Sequence, residues 1–420
     1  MRIGFVSRWN LADPEIRRRA FSGIIWHVLK EFEAQGDRVE YIGPVQQNLI
    51  AKSVNTGIKV LNRLKVFSPH VYGKYHPVIL EQMARQAEQL VANRKIDVLL
   101  AQDSTVMAYF PPSIPLVYWR DANFADIQDA YKVYSNLHPL SVEWAHKHER
   151  KAMNRADLNI FSSECSYKTA TSTYGIPSAK VAVVPFGANH DFVVSSEDTE
   201  RYITGRSRDL CRLLFIGIEW ERKGGDTAVE ICRILNQRGI PTTLDIIGSD
   251  FAVDPAISHK VRIHGRVDKF TSEGSTKLQY LLEQSHFLVH PARAEAYGCV
   301  LCEACSFGIP CVTSSVGGIP TIIKNGKNGV SFPASTPAST YATYIEETFR
   351  NFDLYIRLAK ATRSEYQERL NWQVAVAKAR ELITEMLERK QDLSTPSEKV
   401  ELCTDNTLIM PGVGYKITRN

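Results

Sequence analysis

The sequence predicts an α/β protein with two similar-sized, doubly wound parallel-sheet domains that face each other across a cleft. Short β-rich apolar runs alternate with helical periodicities over residues 1–190, and the same alternation restarts at residue 211 and continues to 370. Strands that alternate with helices indicate βαβ units, whose right-handed crossovers place helices on both faces of the sheet. The length of 420 residues also exceeds one ordinary core.

The first domain is assigned to residues 1–194 and the polar stretch 195–210 to a linker. Its strands are predicted at Ile3–Val6, Arg38–Ile42, Asp97–Ala101, Pro115–Trp119, Leu158–Ser162 and Lys180–Val184. Its helices are predicted at Phe21–Gln35, Val78–Asn93, Ser141–Arg155 and Ser166–Tyr174.

The second domain is assigned to residues 211–370. Its strands are predicted at Arg212–Ile216, Thr243–Ile247, Val261–His264, Phe287–His290, Cys311–Ser314 and Val330–Phe332. Its helices are predicted at Asp226–Arg238, Thr276–Glu283, Gly298–Phe307, Ser339–Arg350 and Leu354–Gln367. A last helix over 371–391 is expected to cross back to the first domain, and 392–420 is expected to be a tail.

Composition narrows the class of protein. The chain is 44% hydrophobic and 23% charged, with a net charge of +5. These values are typical of a globular protein and do not call for a nucleic-acid partner. No apolar run approaches 18 residues and the N-terminus turns polar at once, so we expect a cytoplasmic protein. Residues 48–76 are basic and apolar with almost no acid. They suit either a solvated insertion or a basic amphipathic helix that contacts the inner membrane face or lines an acceptor cleft.

Two cations precede a helix in the second domain. The stretch FIGIEWERKGGDTAVE ends its strand at Gly217, and Arg222 and Lys223 lie just before Gly224-Gly225. Backbone amides at a helix N-terminus add positive potential to such a pair. The pattern predicts an anion site, the alternative being a basic surface turn.

Two carboxylates follow a later strand. In HFLVHPARAEAYGCVLCEACSFGIPCVTSSVGGIP, Glu295 lies in the loop after the strand and Glu303 eight positions on, in the next helix. Both are expected at the carboxyl edge of the sheet, where open α/β folds bind ligands. The pair is compatible with a hydrolase acid–base pair or with recognition of vicinal hydroxyls.

Two further candidates lie in the first domain. Gly23 opens a helix after the basic run Arg17-Arg18-Arg19 and either lets a ligand approach the backbone or relieves packing. Asp121 follows the fourth strand and is either a functional group in the cleft or a local cap or bridge.

Metal chemistry is not expected. Cys299, Cys302 and Cys305 have a metal-like spacing, but no fourth ligand arrives, so we interpret them as packing residues. No Asp-x-Asp occurs, and the Arg-Lys pair offers the charge that a divalent ion would otherwise supply.

The second half of the chain resembles the GT-B glycosyltransferases, in particular the large retaining family 4. The resemblance is strongest over residues 211–335. It rests on FIGIEWERKGGD, HGRV, AEAYGCVLCEACSFGIPCV and SSVGGIP, with Glu295 and Glu303 at the family's spacing. It implies two Rossmann-like domains and a nucleotide-diphosphate sugar as co-substrate.

The resemblance also implies roles for individual residues. Arg222 and Lys223 match the pair that holds the donor diphosphate, Glu295 the residue at the donor sugar, and Glu303 the residue at the ribose. The remaining expected donor-binding positions are Gly23, Gly217, Arg266, Val267, Ala296, Tyr297, Gly298, Cys299 and Val300. Two departures stand out: YWRDAN, with Arg120 and Asp121, replaces a region that often carries His, and Thr321 stands where Glu is common.

The implied reaction is metal-independent, retaining transfer of a sugar to an acceptor hydroxyl on a glycan, lipid or small molecule. Asp121 is included with Arg222, Lys223 and Glu295 as a catalytic candidate. The alternatives are a non-hydrolysing nucleotide-sugar epimerase of the same architecture and a nucleotide-sugar-binding protein without turnover.

Overall fold

The computed structural model describes residues 1–111, 114–248, 251 and 254–394. It confirms the predicted fold class: two six-stranded sheets, all parallel, each flanked by helices. The predicted tail falls almost entirely outside the described residues. Each predicted strand is present to within two residues at either end.

The first sheet has the order β2-β1-β3-β4-β5-β6. Its strands are β1 (Arg2–Val6), β2 (Arg38–Ile42), β3 (Val98–Ala101), β4 (Leu116–Arg120), β5 (Leu158–Phe161) and β6 (Val181–Val183). The helices of this half are α1 (Pro14–Arg19), α2 (Ile24–Ala34), α3 (Leu49–Arg63), α4 (Pro77–Val91), α5 (Ser104–Met107), α6 (Phe124–Ile127), α7 (Pro139–Arg155) and α8 (Glu164–Lys168).

The second sheet has the order β12-β11-β10-β7-β8-β9. Its strands are β7 (Cys211–Ile216), β8 (Thr242–Ile247), β9 (Val261–Ile263), β10 (Phe287–His290), β11 (Cys311–Ser314) and β12 (Gly329–Phe332). The remaining helices are α9 (Ser196–Gly205), α10 (Trp220–Lys223), α11 (Gly225–Gln237), α12 (Pro255–Ser258), α13 (Ser272–Gln284), α14 (Cys299–Ser306), α15 (Ile319–Ile322), α16 (Ala338–Arg350), α17 (Phe352–Arg369) and α18 (Trp372–Ser394).

Strand order reverses once in each sheet. From β1 the chain first adds β2 on one side and then β3 on the other, and from β7 it adds β8 on one side and β10 on the other. A crevice opens at the carboxyl ends of the strands where the direction of winding changes, and ligands bind there in open α/β sheets. The topology therefore marks two places, beyond β1/β3 and beyond β7/β10.

The first strand-to-helix turn differs from its prediction. The helix predicted from Phe21 begins at Ile24, because Phe21, Ser22 and Gly23 have positive φ angles of 52°, 58° and 90°. This left-handed stretch breaks the helix between α1 and α2. The turn crosses the carboxyl edge of the first sheet toward the second domain, where Gly23 packs against the ring of Phe270.

Helices lie in two further segments. The predicted linker contains α9, which is capped by Ser195 and buries Ile203. Residues 48–76 contain α3, which buries only Ala51 and Ile58. Helix α9 is too polar for a strong apolar pattern, whereas α3 is the basic amphipathic helix that was one interpretation of residues 48–76.

The last helix returns to the first domain. Trp372 packs edge-on against Trp119, and its indole N–H donates to the Asn189 amide oxygen at 3.0 Å. Further along α18, Arg380 pairs with Asp37 at 2.6 Å. Helix α18 therefore ties the end of the second half to the core of the first.

Candidate functional site

The carboxyl edges of the two sheets meet in a cleft that is bridged by polar contacts. Arg19 pairs with Asp268 at 2.8 Å. The Ala296 N–H donates to the Tyr131 hydroxyl at 2.9 Å, and the Glu164 N–H donates to the Thr321 hydroxyl at 2.9 Å. Thr321, a departure from the family pattern, thus supplies one of the contacts between the domains.

Arg222 and Lys223 lie on the short helix α10, at the turn after β7. The turn needs glycine at 224, where φ is 76° and a Cβ would lie 2.0 Å from the Pro291 carbonyl oxygen. Arg222 donates to the Ala294 carbonyl at 2.9 Å and to the Glu219 carboxylate at 2.7 Å. Its guanidinium also lies over the Tyr131 ring, 4.2 Å from the centroid. The guanidinium is therefore fixed in place at the mouth of the cleft.

Glu295 forms a buried ionic cluster with Lys223 and His290. The Lys223 ammonium bonds its carboxylate, and His290 Nε2 donates to Oε2 at 3.0 Å. Burial opposes ionisation, but the two donors outweigh it, so the pKa of Glu295 lies well below its ordinary value. Glu295 is therefore a carboxylate at neutral pH and an acceptor of hydrogen bonds, rather than a general acid.

Gly317 and Gly318 hold the loop that carries Glu295. A Cβ on Gly317 would lie 1.7 Å from the Glu295 carbonyl oxygen, and one on Gly318 would lie 2.5 Å from that of Ala296. Gly317 also has a φ of 49°. The glycine turn after β11 therefore lets two loops of the site touch backbone to backbone.

Glu303 lies on α14, whose first turn opens onto the same space. Gly298 caps this helix with a φ of 101°, and the Glu295 side chain packs 3.4 Å from where its Cβ would be. The Glu303 carboxylate pairs with Lys269 at 2.9 Å. Each glutamate is thus paired with a different lysine. Glu295 pairs with Lys223 of α10, and Glu303 pairs with Lys269 in the loop after β9.

One cavity of about 360 Å³ joins these groups. The second domain lines it with Gly217, Arg222, Lys223, Lys269, Glu295, Ala296, Tyr297, Gly298, Cys299, Val300 and Glu303, among others. The first domain contributes Ser22, Ile24, Asp121, Tyr131 and Asn189. A neighbouring cavity of about 560 Å³ shares Gly217, Lys269 and Glu303 and adds Arg266 and Val267. The predicted second-domain residues therefore line one connected space.

The structure separates Arg120 from Asp121. Arg120 turns into the first domain, where it pairs with Glu149 at 3.1 Å. Asp121 lines the cleft, close enough to Glu295 for their charges to interact. Burial raises the pKa of the Asp121 carboxyl, although Arg120 and two backbone amides oppose the shift. Gly23, predicted beside the diphosphate, lies between the cavity residues Ser22 and Ile24 and packs against Phe270.

Three residues of the site escaped the sequence analysis. Lys269 and His290 hold the two glutamates, and Tyr131 reaches across from the first domain. His290 ends an apolar strand five positions before Glu295, which is the one local signal for it. Tyr131 belongs to an aromatic-rich segment in which no sequence feature marks one ring over another.

The cysteines behave as packing residues. Cys302 and Cys305 lie on α14 and are fully buried in the core, while Cys299 at the start of the same helix lines the cavity. Within the part of the chain that the structure describes, no group of three or more His, Cys, Asp or Glu side chains is arranged to hold a metal ion.

Two family models match the chain, one on each domain. Residues 24–192 match Glycosyltransferase Family 4, and residues 197–365 match Glycosyl transferases group 1. Two doubly wound parallel-sheet domains that face each other across a cleft are the architecture of the GT-B glycosyltransferases. The chain belongs to the glycosyltransferases of this class.

Individual relatives are distant. Glycogen synthase of Mycobacterium tuberculosis is 32% identical over 177 residues, which cover 40% of this chain and 41% of that protein. The chain spans about half the length of the curated relatives it matches.

Solved structures share the fold over nearly the whole chain. Sucrose-phosphate synthase from Thermosynechococcus elongatus has a TM-score of 0.62 at 16% identity, covering 93% of this chain and 100% of that one. Anabaena HepE, solved in complex with UDP and glucose, has a TM-score of 0.55 at 14% identity, covering 91% and 99%.

Proposed function

We propose that this protein transfers a sugar from a nucleoside diphosphate sugar to an acceptor hydroxyl, with retention at the anomeric carbon and without a metal ion. The observation that carries the proposal is the single cavity in which Arg222, Lys223, Glu295 and Glu303 meet between the two domains. Two fixed cations suit a diphosphate, and two carboxylates suit the diols of a sugar and a ribose.

The cations stabilise the leaving group in this proposal. As the bond from the anomeric carbon to the phosphate oxygen breaks, negative charge grows on the diphosphate. Arg222 and Lys223 supply positive charge at that point, and the amides of the first turn of α14 face the same cavity. Lys223 exchanges part of its contact with Glu295 for a phosphate oxygen, which costs little because the cation stays paired.

The donor lies across both connected cavities. By the family resemblance, Glu295 accepts hydrogen bonds from the sugar and Glu303 from the ribose, while the base lies at Arg266 and Val267. HepE, which shares the fold and was solved with UDP and glucose, supports a nucleoside diphosphate as the ligand of this cleft.

Retention requires the acceptor to attack from the side that the diphosphate leaves. The acceptor oxygen forms a bond to the anomeric carbon while the bond from that carbon to the phosphate oxygen breaks. The acceptor proton passes to the departing phosphate oxygen. Asp121 lies in the first-domain wall of the cavity, where it would contact the reacting sugar or orient the acceptor. Its raised pKa follows from burial and lets it hold or accept a proton more readily than an exposed aspartate.

The first prediction concerns the reaction itself. Incubation with a panel of nucleoside diphosphate sugars and a range of hydroxyl acceptors, with and without EDTA, should release nucleoside diphosphate from one class of donor, at the same rate in both conditions. The anomeric configuration of the product, read by proton NMR, should match that of the donor. Loss of release in EDTA would contradict metal independence, and an inverted product would contradict retention.

The same panel separates the alternatives. Conversion of the donor sugar to an epimer without formation of a glycoside would favour the epimerase. Binding of a nucleotide sugar without turnover, in the presence of a range of acceptors, would favour a binding protein.

We also propose peripheral membrane contact through residues 48–76. Helix α3 exposes Leu49, Ile50, Val60, Leu61 and Leu64, which share one face at helical spacing. Lys52, Lys59 and Arg63 lie beside this face, and α3 contains no acid. An apolar stripe flanked by cations suits an anionic lipid surface. None of the described helices is long and apolar enough to cross a membrane.

A second prediction follows for vesicle binding. The protein should co-sediment with vesicles that contain anionic phospholipid and not with purely zwitterionic ones, because both apolar insertion and charge attraction are required. Lys59→Glu with Arg63→Glu should reduce binding at least tenfold. Lys277→Glu, a charge reversal on α13, is the control. Equal binding of the double variant would contradict the contact.

A further inference from the structure

A separate cavity lies in the first domain, at its own strand-order reversal. It has a volume of about 240 Å³. Its walls come from the loops after β1 and β3, from the end of β4, from the start of α2 and from residues shortly before α4 and α7. Its polar lining includes Arg8, Lys74, Gln102, Asp103 and Arg120. The reversal between β1 and β3 is where this sheet should bind a ligand.

Gln102 lines this cavity with an unsatisfied amide. The residue is 7% exposed, and neither its Nε2 nor its Oε1 has a hydrogen-bond partner. A buried amide that lacks hydrogen-bond partners is destabilising, because it gives up its bonds to water and gains none in return. Buried polar groups are otherwise almost always paired in proteins, so a donor and an acceptor held ready here point to a hydroxyl-bearing ligand.

The charges around the cavity leave a positive excess. Arg8 pairs with Asp103 at 2.8 Å, and Arg120 pairs with Glu149 at 3.1 Å. Lys74 is a third cation in the wall and makes no ion pair among the described residues. Arg8 also remains one-third exposed. With three cations against two carboxylates, the site favours a ligand that carries one anionic group.

Aromatic rings supply the rest of the wall. Trp9, Phe21, Tyr75 and Tyr134 all contribute, and Trp9 and Phe21 pack 6.5 Å apart at the entrance loop. Flat apolar rings beside polar groups suit the C–H face and the hydroxyl edge of a sugar or cyclitol ring. The volume lies below the usual range for drug-sized ligands, about 300–1,000 Å³, so the cavity fits a single ring.

The cavity shares a wall with the cleft between the domains. Phe21 and Ile25 line it, while their chain neighbours Ser22 and Ile24 line the cleft. Arg120 lines it and Asp121 lines the cleft. The two cavities therefore border each other at the left-handed turn and at the end of β4.

We propose that this cavity binds the acceptor, and that the acceptor is a single-ring sugar or polyol bearing a phosphate or carboxylate group. Lys74 and Arg8 bind the anionic group, Gln102 bonds ring hydroxyls, and one hydroxyl extends past Asp121 toward the donor. The role of this ligand as the acceptor rests on the proposed transfer reaction. The binding of an anionic ring by the cavity does not depend on that reaction.

Calorimetric titration with defined probes tests the site without any turnover. The probes are glucose 6-phosphate and glucuronate, with glucose as the neutral counterpart. At least one anionic probe should bind at least tenfold more tightly than glucose, and which one binds distinguishes phosphate from carboxylate. Lys74→Met should remove that preference. Equal binding of charged and neutral rings, no binding of any ring, or an unchanged preference in Lys74→Met would overturn the proposal.

The variant Gln102→Leu separates a loss of ring binding from a loss of stability. Because the native amide is unpaired, this change should leave the melting temperature equal or higher while weakening the binding of the anionic ring at least fivefold. Lys277→Met on α13, outside the cavity, is the control and should change neither. Unaltered ring binding by Gln102→Leu would count against the site.

Titration with a nucleoside diphosphate separates the two proposals. Its binding should be unchanged in Lys74→Met and Gln102→Leu, since neither residue lines the cleft. If the nucleoside diphosphate fails to bind the unaltered protein while the anionic ring binds, the proposed reaction fails and the ring site stands.

Discussion

Glu295 shows how one residue takes its role from its surroundings. Its position in the sequence is equally compatible with an acid–base catalyst and with a hydroxyl acceptor. The structure surrounds it with the Lys223 ammonium and the His290 ring. These donors keep its pKa low despite burial, which removes it as a proton donor at neutral pH. No sequence pattern identifies both partners, because Lys223 lies 72 residues before Glu295 in the chain.

Replacing this carboxylate should weaken the protein in a pH-dependent way. Glu295→Gln should lower the free energy of unfolding at pH 7 by roughly 1.5–3 kcal/mol, the range for hydrogen bonds to charged groups. Because the folded-state pKa of Glu295 is depressed, its contribution is complete above its ordinary value of 4.5 and is lost as the pH falls below it. Urea unfolding at pH 7, 5 and 3.5 measures this difference.

The matched control for this prediction is Glu200→Gln. Glu200 pairs with Lys360 in a half-exposed contact, so its replacement should change stability by less than about 0.5 kcal/mol at every pH. A difference between Glu295→Gln and the unaltered protein that stays constant down to pH 3.5 would contradict the ionic cluster.

At the scale of elements, the glycine turn after β11 positions the Glu295 loop. Sequence reasoning placed β10, α14, β11 and the glycine pair correctly, because apolar runs, Gly308 and Pro310 mark their ends. It did not reveal that the two loops touch, since backbone contact between distant segments leaves no local pattern. The same limit applies to α2. Its predicted start at Phe21 is wrong, because residues 21–23 have left-handed backbone angles and the helix begins at Ile24.

Closing the space at Gly317 should therefore disturb both fold and function. Gly317→Ala places a Cβ 1.7 Å from the Glu295 carbonyl oxygen at a φ of 49°, so the Glu295 loop must move. We expect a loss of at least 2 kcal/mol in stability and at least tenfold weaker nucleoside diphosphate binding. Thermal unfolding and calorimetry measure the two effects.

Gly57→Ala is the control substitution. Gly57 lies within α3 with open space around its Cβ position, so alanine should stabilise the helix by about 0.5–1 kcal/mol. Normal stability and binding in Gly317→Ala would show that the loop does not depend on the close approach.

At the scale of the molecule, the alternation of strands and helices was sufficient to predict two doubly wound domains. The same alternation does not say how the domains meet. Tyr131, Thr321 and Arg19 make contacts across the cleft with partners at least 157 positions away, and such pairs have no signature in a single sequence. Most cleft residues of the second domain were predictable because they fall within three short motifs, around Arg222, Arg266 and Glu295, whereas those of the first domain are spread over four separate segments.

The central claim is that the cleft binds a nucleoside diphosphate through Arg222 and Lys223. Calorimetric titration of nucleoside diphosphates and the matching free nucleosides into the unaltered protein tests it most directly. The variant is Arg222→Ala/Lys223→Ala, and the control is Arg233→Ala, which removes a partly exposed cation of α11 that pairs with Asp254 outside the cleft. We predict that one diphosphate binds at least a hundredfold more tightly than its nucleoside, and that the double variant loses this difference while the control keeps it. Undiminished diphosphate binding by the double variant would contradict the account.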